Sequence, residues 1–174
     1  LIEYCILPPP PFIAYNKAVE RNINMNRPVI AVFDVQPYEY EHLILFGLVN
    51  NYYTFQTAKK FIQDLIEISE KLNALILFKQ KRSYPQTISK EYVKFIDCIN
   101  HSNFEIIDSS ESAYSIIGKA NYSVSMPFTS THQLSRSLNI PSCYYDPSGT
   151  LAFKEDLITT KDELYEKLKK TFYG

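Results

Sequence analysis

Ser125, Thr129, Ser130 and Thr131 place four hydroxyls within seven residues, and Lys79, Lys81 and Arg82 place three cations within four. Hydroxyls hydrogen-bond phosphate oxygens. Lysine and arginine neutralise them, arginine with two parallel hydrogen bonds. Together such a set could hold a phosphate. The hydroxyls follow a β-rich run, Tyr122–Met126, which Pro127 ends because proline cannot continue a central strand. They precede a helix read as His132–Leu138, stopped by Asn139-Ile140-Pro141. Thr129, Ser130 or Thr131 can each N-cap that helix, whose free N–H groups and positive end favour an anion. A capped helix with no ligand explains the same pattern, and a solvated strand end explains the cations. What joins the two clusters is position, since both fall at strand carboxyl ends, the edge of an α/β sheet where ligands bind.

Five further residues are candidates for sugar or ribose contacts: Asp34, His42, Glu111, His132 and Asp146. Asp34 ends a strand and could act as acid or base, or cap the next loop. His42 lies in a long loop and is the best placed of three histidines for chemistry. Glu111 belongs to a Ser109-Ser110-Glu111 run read as capping a short helix. A charged His132 would oppose the helix dipole, whereas a neutral one could hydrogen-bond phosphate or hydroxyl. Asp146 opens an Asp146-Pro147-Ser148-Gly149 turn, which explains it without a ligand. Tyr52, Tyr53, Tyr144 and Tyr145 could stack on a base, although packing is the commoner use of tyrosine pairs.

The elements that must position these groups alternate. Strands are read at Pro28–Val35, Ala74–Lys79, Phe104–Asp108, Tyr122–Met126 and Pro141–Tyr145. The first is apolar on both faces, as a buried parallel strand should be. Amphipathic helices are read at Thr54–Leu72, Ser89–Asn100, Ser112–Lys119, His132–Leu138 and Lys161–Phe172, the last capped by Thr159 or Thr160. Residues 36–53 are read as one long loop, a length that is often functional. The pattern predicts an α/β Rossmann-like parallel sheet of about five strands with helices on both faces. Residues 1–27 are expected to be a linker, with four prolines at Pro8–Pro11 and a helix in Phe12–Asn24; residues 28–174 form the domain. The first residue is Leu, so a fragment of a longer protein is expected.

Composition narrows the classes. The chain has 174 residues, 45% of them hydrophobic, enough for one domain with a core. Eighteen basic and nineteen acidic side chains give a net charge of −1, which argues against nucleic acid as a partner and requires any anion site to be local. Cys5, Cys98 and Cys143 are far apart and odd in number, so no disulfide framework, zinc site or other metal site is expected. No apolar run reaches the ~20 residues that span a bilayer. GxGxxG, GxxxxGK[ST] and GxSxG are all absent, so ordinary dinucleotide, P-loop and α/β-hydrolase chemistry is unsupported.

Six segments carry a family resemblance: Val29–Pro37, Tyr52-Tyr53-Thr54, Phe61–Asp64, Leu77–Arg82, Ser125–Thr131 and Ile140–Gly149. Together, over roughly residues 28–172, the chain resembles the carboxyl-terminal half of bacterial surface-polysaccharide biosynthesis proteins related to GT-B glycosyltransferases. Its most specific blocks are Pro127-Phe128-Thr129-Ser130 and Tyr144-Tyr145-Asp146-Pro147. The resemblance implies one half of a GT-B fold: a donor domain that holds the nucleotide of an activated sugar, with a glycan as acceptor. In similar enzymes that use CMP-activated sugars, a Ser/Thr pair grips the phosphate; Thr129 and Ser130 match it, and Lys81 and Arg82 match its basic partner. A CMP-linked sugar is the expected donor, with UDP- and other nucleotide-linked sugars next, and no metal or other cofactor. The catalytic base of such enzymes lies in an amino-terminal half absent from this chain, so no base is assigned and the fragment is expected to be inactive alone. Asn121 departs from the related pattern, where Asp is common. A cytoplasmic or peripheral inner-membrane location is implied. Alternatives are a non-catalytic interaction or scaffold domain of the same fold, and a nucleotide-sugar epimerase.

Overall fold

The computed structural model describes residues 26–33, 35–48, 51–80, 86–127, 129–151 and 155–174. Asp34, Lys81, Arg82 and the expected linker and helix up to residue 25 lie outside them. Six parallel strands form one sheet: β1 (Val29–Phe33), β2 (Leu75–Lys79), β3 (Phe104–Ile107), β4 (Tyr122–Ser125), β5 (Ser142–Tyr145) and β6 (Leu157–Ile158). Their order is β3-β2-β1-β4-β5-β6. The architecture is α/β and Rossmann-like, with one strand more than the sequence indicated. The chain builds outward from β1 to β3, then returns to lay β4 against the other side of β1. The crevice at that reversal is where open α/β sheets receive ligands.

β1 is buried along its whole length because helices cover both faces, which is why it reads as a continuous apolar run. Alternation sorts its residues. Ile30 and Val32 join Ile76, Phe78, Tyr122, Val124, Cys143 and Tyr145 on one face, under α2 (Phe55–Lys71), α3 (Lys90–Asp97) and α6 (Lys161–Tyr173). Val29, Ala31 and Phe33 join Leu75 and Leu77 on the other, under α4 (Ala113–Gly118) and α5 (Thr131–Ser137). Truncating Ile30 to Ala would remove atoms from the centre of the first core, at a cost of about 2–5 kcal/mol. Among the described residues, no helix is long and apolar enough to cross a membrane.

The helices begin and end where local chemistry dictates. Thr54, Ser89, Ser112 and Thr160 each accept a backbone N–H from the first turn of the helix that follows. Ser112, rather than the Ser109-Ser110-Glu111 run, is therefore the cap of α4. At the far ends, Asn73 (φ 44°) and Asn139 (φ 56°) adopt the left-handed conformation that asparagine tolerates. Ala74 N–H then reaches Ser69 O at 2.9 Å, and Ile140 N–H reaches Ser135 O at 3.0 Å, closing paired-bond C-terminal motifs. Residues 36–53 are not one loop. They hold α1 (Tyr40–Leu45), closed the same way by Gly47 at φ 67°, and a 3₁₀ turn at Asn51–Tyr53.

A buried carboxylate ties three elements together. Asp64 on α2 accepts from the Tyr145 hydroxyl at 2.6 Å and from Lys60 at 2.5 Å, and Lys161 at the start of α6 stands 3.8 Å away. Lys60 is its i−4 neighbour and mostly exposed, so that pair alone contributes little. The Tyr145 bond is different. It is buried, and removing the phenol hydroxyl leaves one carboxylate oxygen short of a donor in a poorly solvated place.

Candidate functional site

Register fixes what the carboxyl edge presents. Phe33, the last residue of β1, pairs with Lys79 on β2 and with Ser125 on β4. Strict alternation puts all three side chains on the α4/α5 face. Adjacent strands lie about 4.8 Å apart, so Lys79 and Ser125 stand roughly 10 Å from each other across Phe33.

From Ser125 the chain enters the hydroxyl-rich turn, and its bonds have a direction. Thr129 Oγ1 donates to Met126 O at 2.8 Å. A hydroxyl has one proton, so at the 3.1 Å contact with Thr131 the Thr129 oxygen must accept. Thr131 thereby uses its own proton, and at 2.7 Å it accepts from Ser125 Oγ. The protons run Ser125 to Thr131 to Thr129 to the Met126 carbonyl. These three hydroxyls are brought together, yet all three donate inward and would have to reorient to donate to an anion.

Ser130 is arranged differently. It stands at the N-cap position of α5, but with helical angles (φ −70°, ψ −10°) and no side-chain capping bond. The expected cap is thus not made, because the preceding hydroxyls close the turn instead. Ser130 is the one exposed residue of the four. With seven residues, α5 is also too short for its dipole to carry much of any anion attraction.

The turn is held from outside as well. The Tyr52 hydroxyl donates to Pro127 O through a very short hydrogen bond, and the Tyr144 hydroxyl donates to Thr129 O at 3.1 Å. Burial pushes both phenols above their ordinary pKa, so both stay protonated and keep donating. The sequence suggested that these tyrosines could stack on a base. Their role in holding the turn was not legible, because neither spacing nor periodicity shows which carbonyl a distant phenol will reach.

The cations are only partly in view. The Lys79 ammonium donates to Ser109 O at 3.0 Å and to Gln80 O at 3.2 Å, bracing the loop between β3 and α4. An ammonium has three donors, and those bonds use two. Glu111 is exposed in that same loop, with its N–H on Asp108 O at 3.1 Å. Bonds from Ser110 hold the Asp108 carboxyl below its usual range, with a smaller contribution from nearby Lys79.

The other candidates scatter. His42 is half-buried on α1, with its ring centroid 5.9 Å from that of Phe46, and its Nδ1 is buried with no partner among the described residues. His132 points into the protein rather than into the crevice. Its Nδ1 meets Ser142 Oγ at 2.9 Å, its Nε2 meets Asp156 at 3.3 Å, and Tyr144 lies against the ring at 4.3 Å. Burial lowers its pKa, an effect that Asp156 opposes, and the neutral form clamps α5 to β5. Asp146 is fully buried. Its Oδ1 accepts from Ser148 N at 2.9 Å and Ser148 Oγ at 2.5 Å, and its Oδ2 from Thr150 N and Leu151 N, both at 3.1 Å. It shapes its own turn, as an aspartate in that sequence can. Asn121 likewise has a local use, accepting Val29 N–H at 2.8 Å where β1 begins.

Among the described residues, no three His, Cys, Asp or Glu side chains cluster as metal ligands. No curated protein and no solved structure matches the chain. A family model does. The model for a polysaccharide biosynthesis PFTS motif protein matches residues 11–161, most of the chain. The four letters in that description occur here as Pro127-Phe128-Thr129-Ser130, the residues that follow Met126 after β4. The match supports a role in polysaccharide biosynthesis, and the chain belongs to the family of polysaccharide biosynthesis PFTS motif proteins.

Proposed function

We propose that this domain binds the nucleotide of an activated sugar, as the donor half of a GT-B-type glycosyltransferase that builds surface polysaccharide. One observation carries the reading. Pro127 and Thr129-Ser130, from the stretch whose residues spell the four letters of the family description, follow the carboxyl end of β4 beside the reversal of strand order at β1, and Ser130 is exposed. A phosphate there would meet the Ser130 hydroxyl. The Lys79 ammonium two strands away would supply positive charge at longer range. In transfer, an acceptor hydroxyl bonds to the sugar's anomeric carbon and gives up its proton to a base or solvent, while the bond from that carbon to the phosphate oxygen breaks and the nucleotide leaves with its electron pair. Donors placed around the phosphate stabilise the charge that develops on it. A CMP-linked sugar is the first donor to try.

Calorimetric titration of the chain with CMP, UDP and GDP tests the reading. Binding of one of them, weakened about tenfold by Ser130→Ala with the melting temperature unchanged, is the expected result; a lost charge-assisted hydrogen bond is worth about that much. No binding of any of the three would remove the donor-site reading.

A second reading, a domain that docks a partner protein, has one observation in its favour. Tyr40, Ile44, Leu45 and Phe46 are all 50% or more exposed, and all lie on or just after α1. Such clustering of large apolar side chains often marks an interaction site. Ile44→Glu with Leu45→Glu would abolish docking while leaving nucleotide affinity intact.

A further inference from the structure

Four described backbone oxygens around the turn are occupied, by donors from separate parts of the chain. Met126 O accepts the Thr129 hydroxyl, and Ser130 O accepts Leu134 N–H at 3.0 Å. Between them, Pro127 O accepts the Tyr52 phenol and Thr129 O accepts the Tyr144 phenol. Tyr52 is buried in the core under α2, on one face of the sheet. Tyr144 pairs in register with Ser125, which puts its side chain on the opposite face, against His132. The two phenols therefore grip the turn from both faces.

A carbonyl oxygen carries partial negative charge and repels a phosphate. If its donor is taken away, the peptide plane tends to rotate toward the nearest other donor or to water, because a buried unsatisfied carbonyl is costly. Rotation of the peptide after Thr129 would swing the Ser130 backbone and its hydroxyl out of place, and rotation after Pro127 would shift the chain that leads to it. Through these bonds the Tyr52 and Tyr144 hydroxyls bear on the geometry of the turn.

We propose that Tyr52 and Tyr144 are positioning residues for phosphate binding, holding the Pro127 and Thr129 carbonyls turned away so that the tip at Ser130 faces the crevice. The inference rests on the phosphate reading above and names what makes that site rigid.

The test uses the full chain and compares CMP with cytidine, which lacks the phosphate. Tyr52→Phe and Tyr144→Phe keep the rings and remove only the hydroxyls. Tyr173→Phe is the control, since the Tyr173 hydroxyl makes the same kind of bond, to Leu72 O at 2.5 Å, on a different helix end. Each of the first two substitutions is expected to weaken CMP binding about tenfold, the upper range for one such hydrogen bond, with cytidine binding unchanged. The preference for CMP over cytidine thus shrinks, a ratio that general loss of stability does not move. Tyr173→Phe leaves the ratio alone. Should Tyr52→Phe fail to fold, Tyr144→Phe carries the test, because Tyr144 is only half-buried. A folded Tyr144→Phe chain with the wild-type ratio overturns the positioning role while leaving the phosphate site standing. A wild-type chain with no preference for CMP over cytidine overturns the phosphate reading itself.

Discussion

Replacing Asp146 with Asn separates a turn-building aspartate from a ligand-binding one. The carboxylate is fully buried and accepts four bonds, two on each oxygen. An amide has one acceptor oxygen and one donor nitrogen, so it must choose. If the nitrogen faces Thr150 and Leu151, two N–H groups confront a donor and both bonds are lost. If it faces Ser148, the serine hydroxyl can turn and accept, and only the Ser148 N–H is stranded. The second arrangement is the better one. It loses one charge-assisted bond, worth about 1.5–3 kcal/mol, and weakens the two to Thr150 and Leu151 by about 0.5 kcal/mol each. The total is about 3 kcal/mol. For a chain of this size each kcal/mol moves the melting temperature by about 2–4 °C, so a fall of about 6–12 °C is expected. Scanning calorimetry or a urea melt reads it directly. A melting temperature within about 2 °C of wild type, together with lost CMP affinity, would refute the reasoning and return Asp146 to the ligand.

Two further substitutions follow from burial. Ser123 lies at the centre of β4 with no exposure and no partner for its hydroxyl among the described residues, so Ser123→Ala should be neutral or stabilise by up to about 1 kcal/mol, and a loss above that in a urea melt would reveal an unseen partner. His132 should make stability depend on pH. Burial lowers its pKa from the ordinary 6.5, so the folded chain keeps it neutral while the unfolded chain takes up the proton. Its contribution is complete above about pH 6.5 and is lost as pH falls toward the depressed folded value. Melts between pH 7.5 and 5 should therefore fall more steeply for wild type than for His132→Gln; parallel curves would show that the ring is not held neutral.

Much of the fold was legible because burial wrote it plainly. β1 and β2 are short apolar runs and β4 a short β-rich run ahead of Pro127, and the ends of all three were read to within about two residues. β6 was missed: Leu157–Ile158 is too short to show a period, and it becomes a strand only by pairing with β5. α1 was missed for the opposite reason. Its Tyr40, Ile44 and Leu45 face solvent, so no inward apolar stripe marks it as a helix. The site was half legible. Sequence order could place Lys79 and Ser125 at strand ends, and register then put them on one face. Which hydroxyl would point outward depended on the direction of three hydrogen bonds, and the inward turn of His132 on Ser142 and Asp156, residues that no spacing rule connects to it. The Asp64 network was invisible beyond its i,i+4 Lys60, since Tyr145 and Lys161 arrive from distant parts of the chain.

The most direct measurement is a crystal structure of the chain soaked with CMP. The phosphate is expected within hydrogen-bond distance of Ser130 Oγ, over the carboxyl ends of β1 and β4, with the Tyr52 and Tyr144 hydroxyls still on the Pro127 and Thr129 carbonyls. A nucleotide seated at the opposite edge of the sheet, or a phosphate that leaves Ser130 in water, would contradict it.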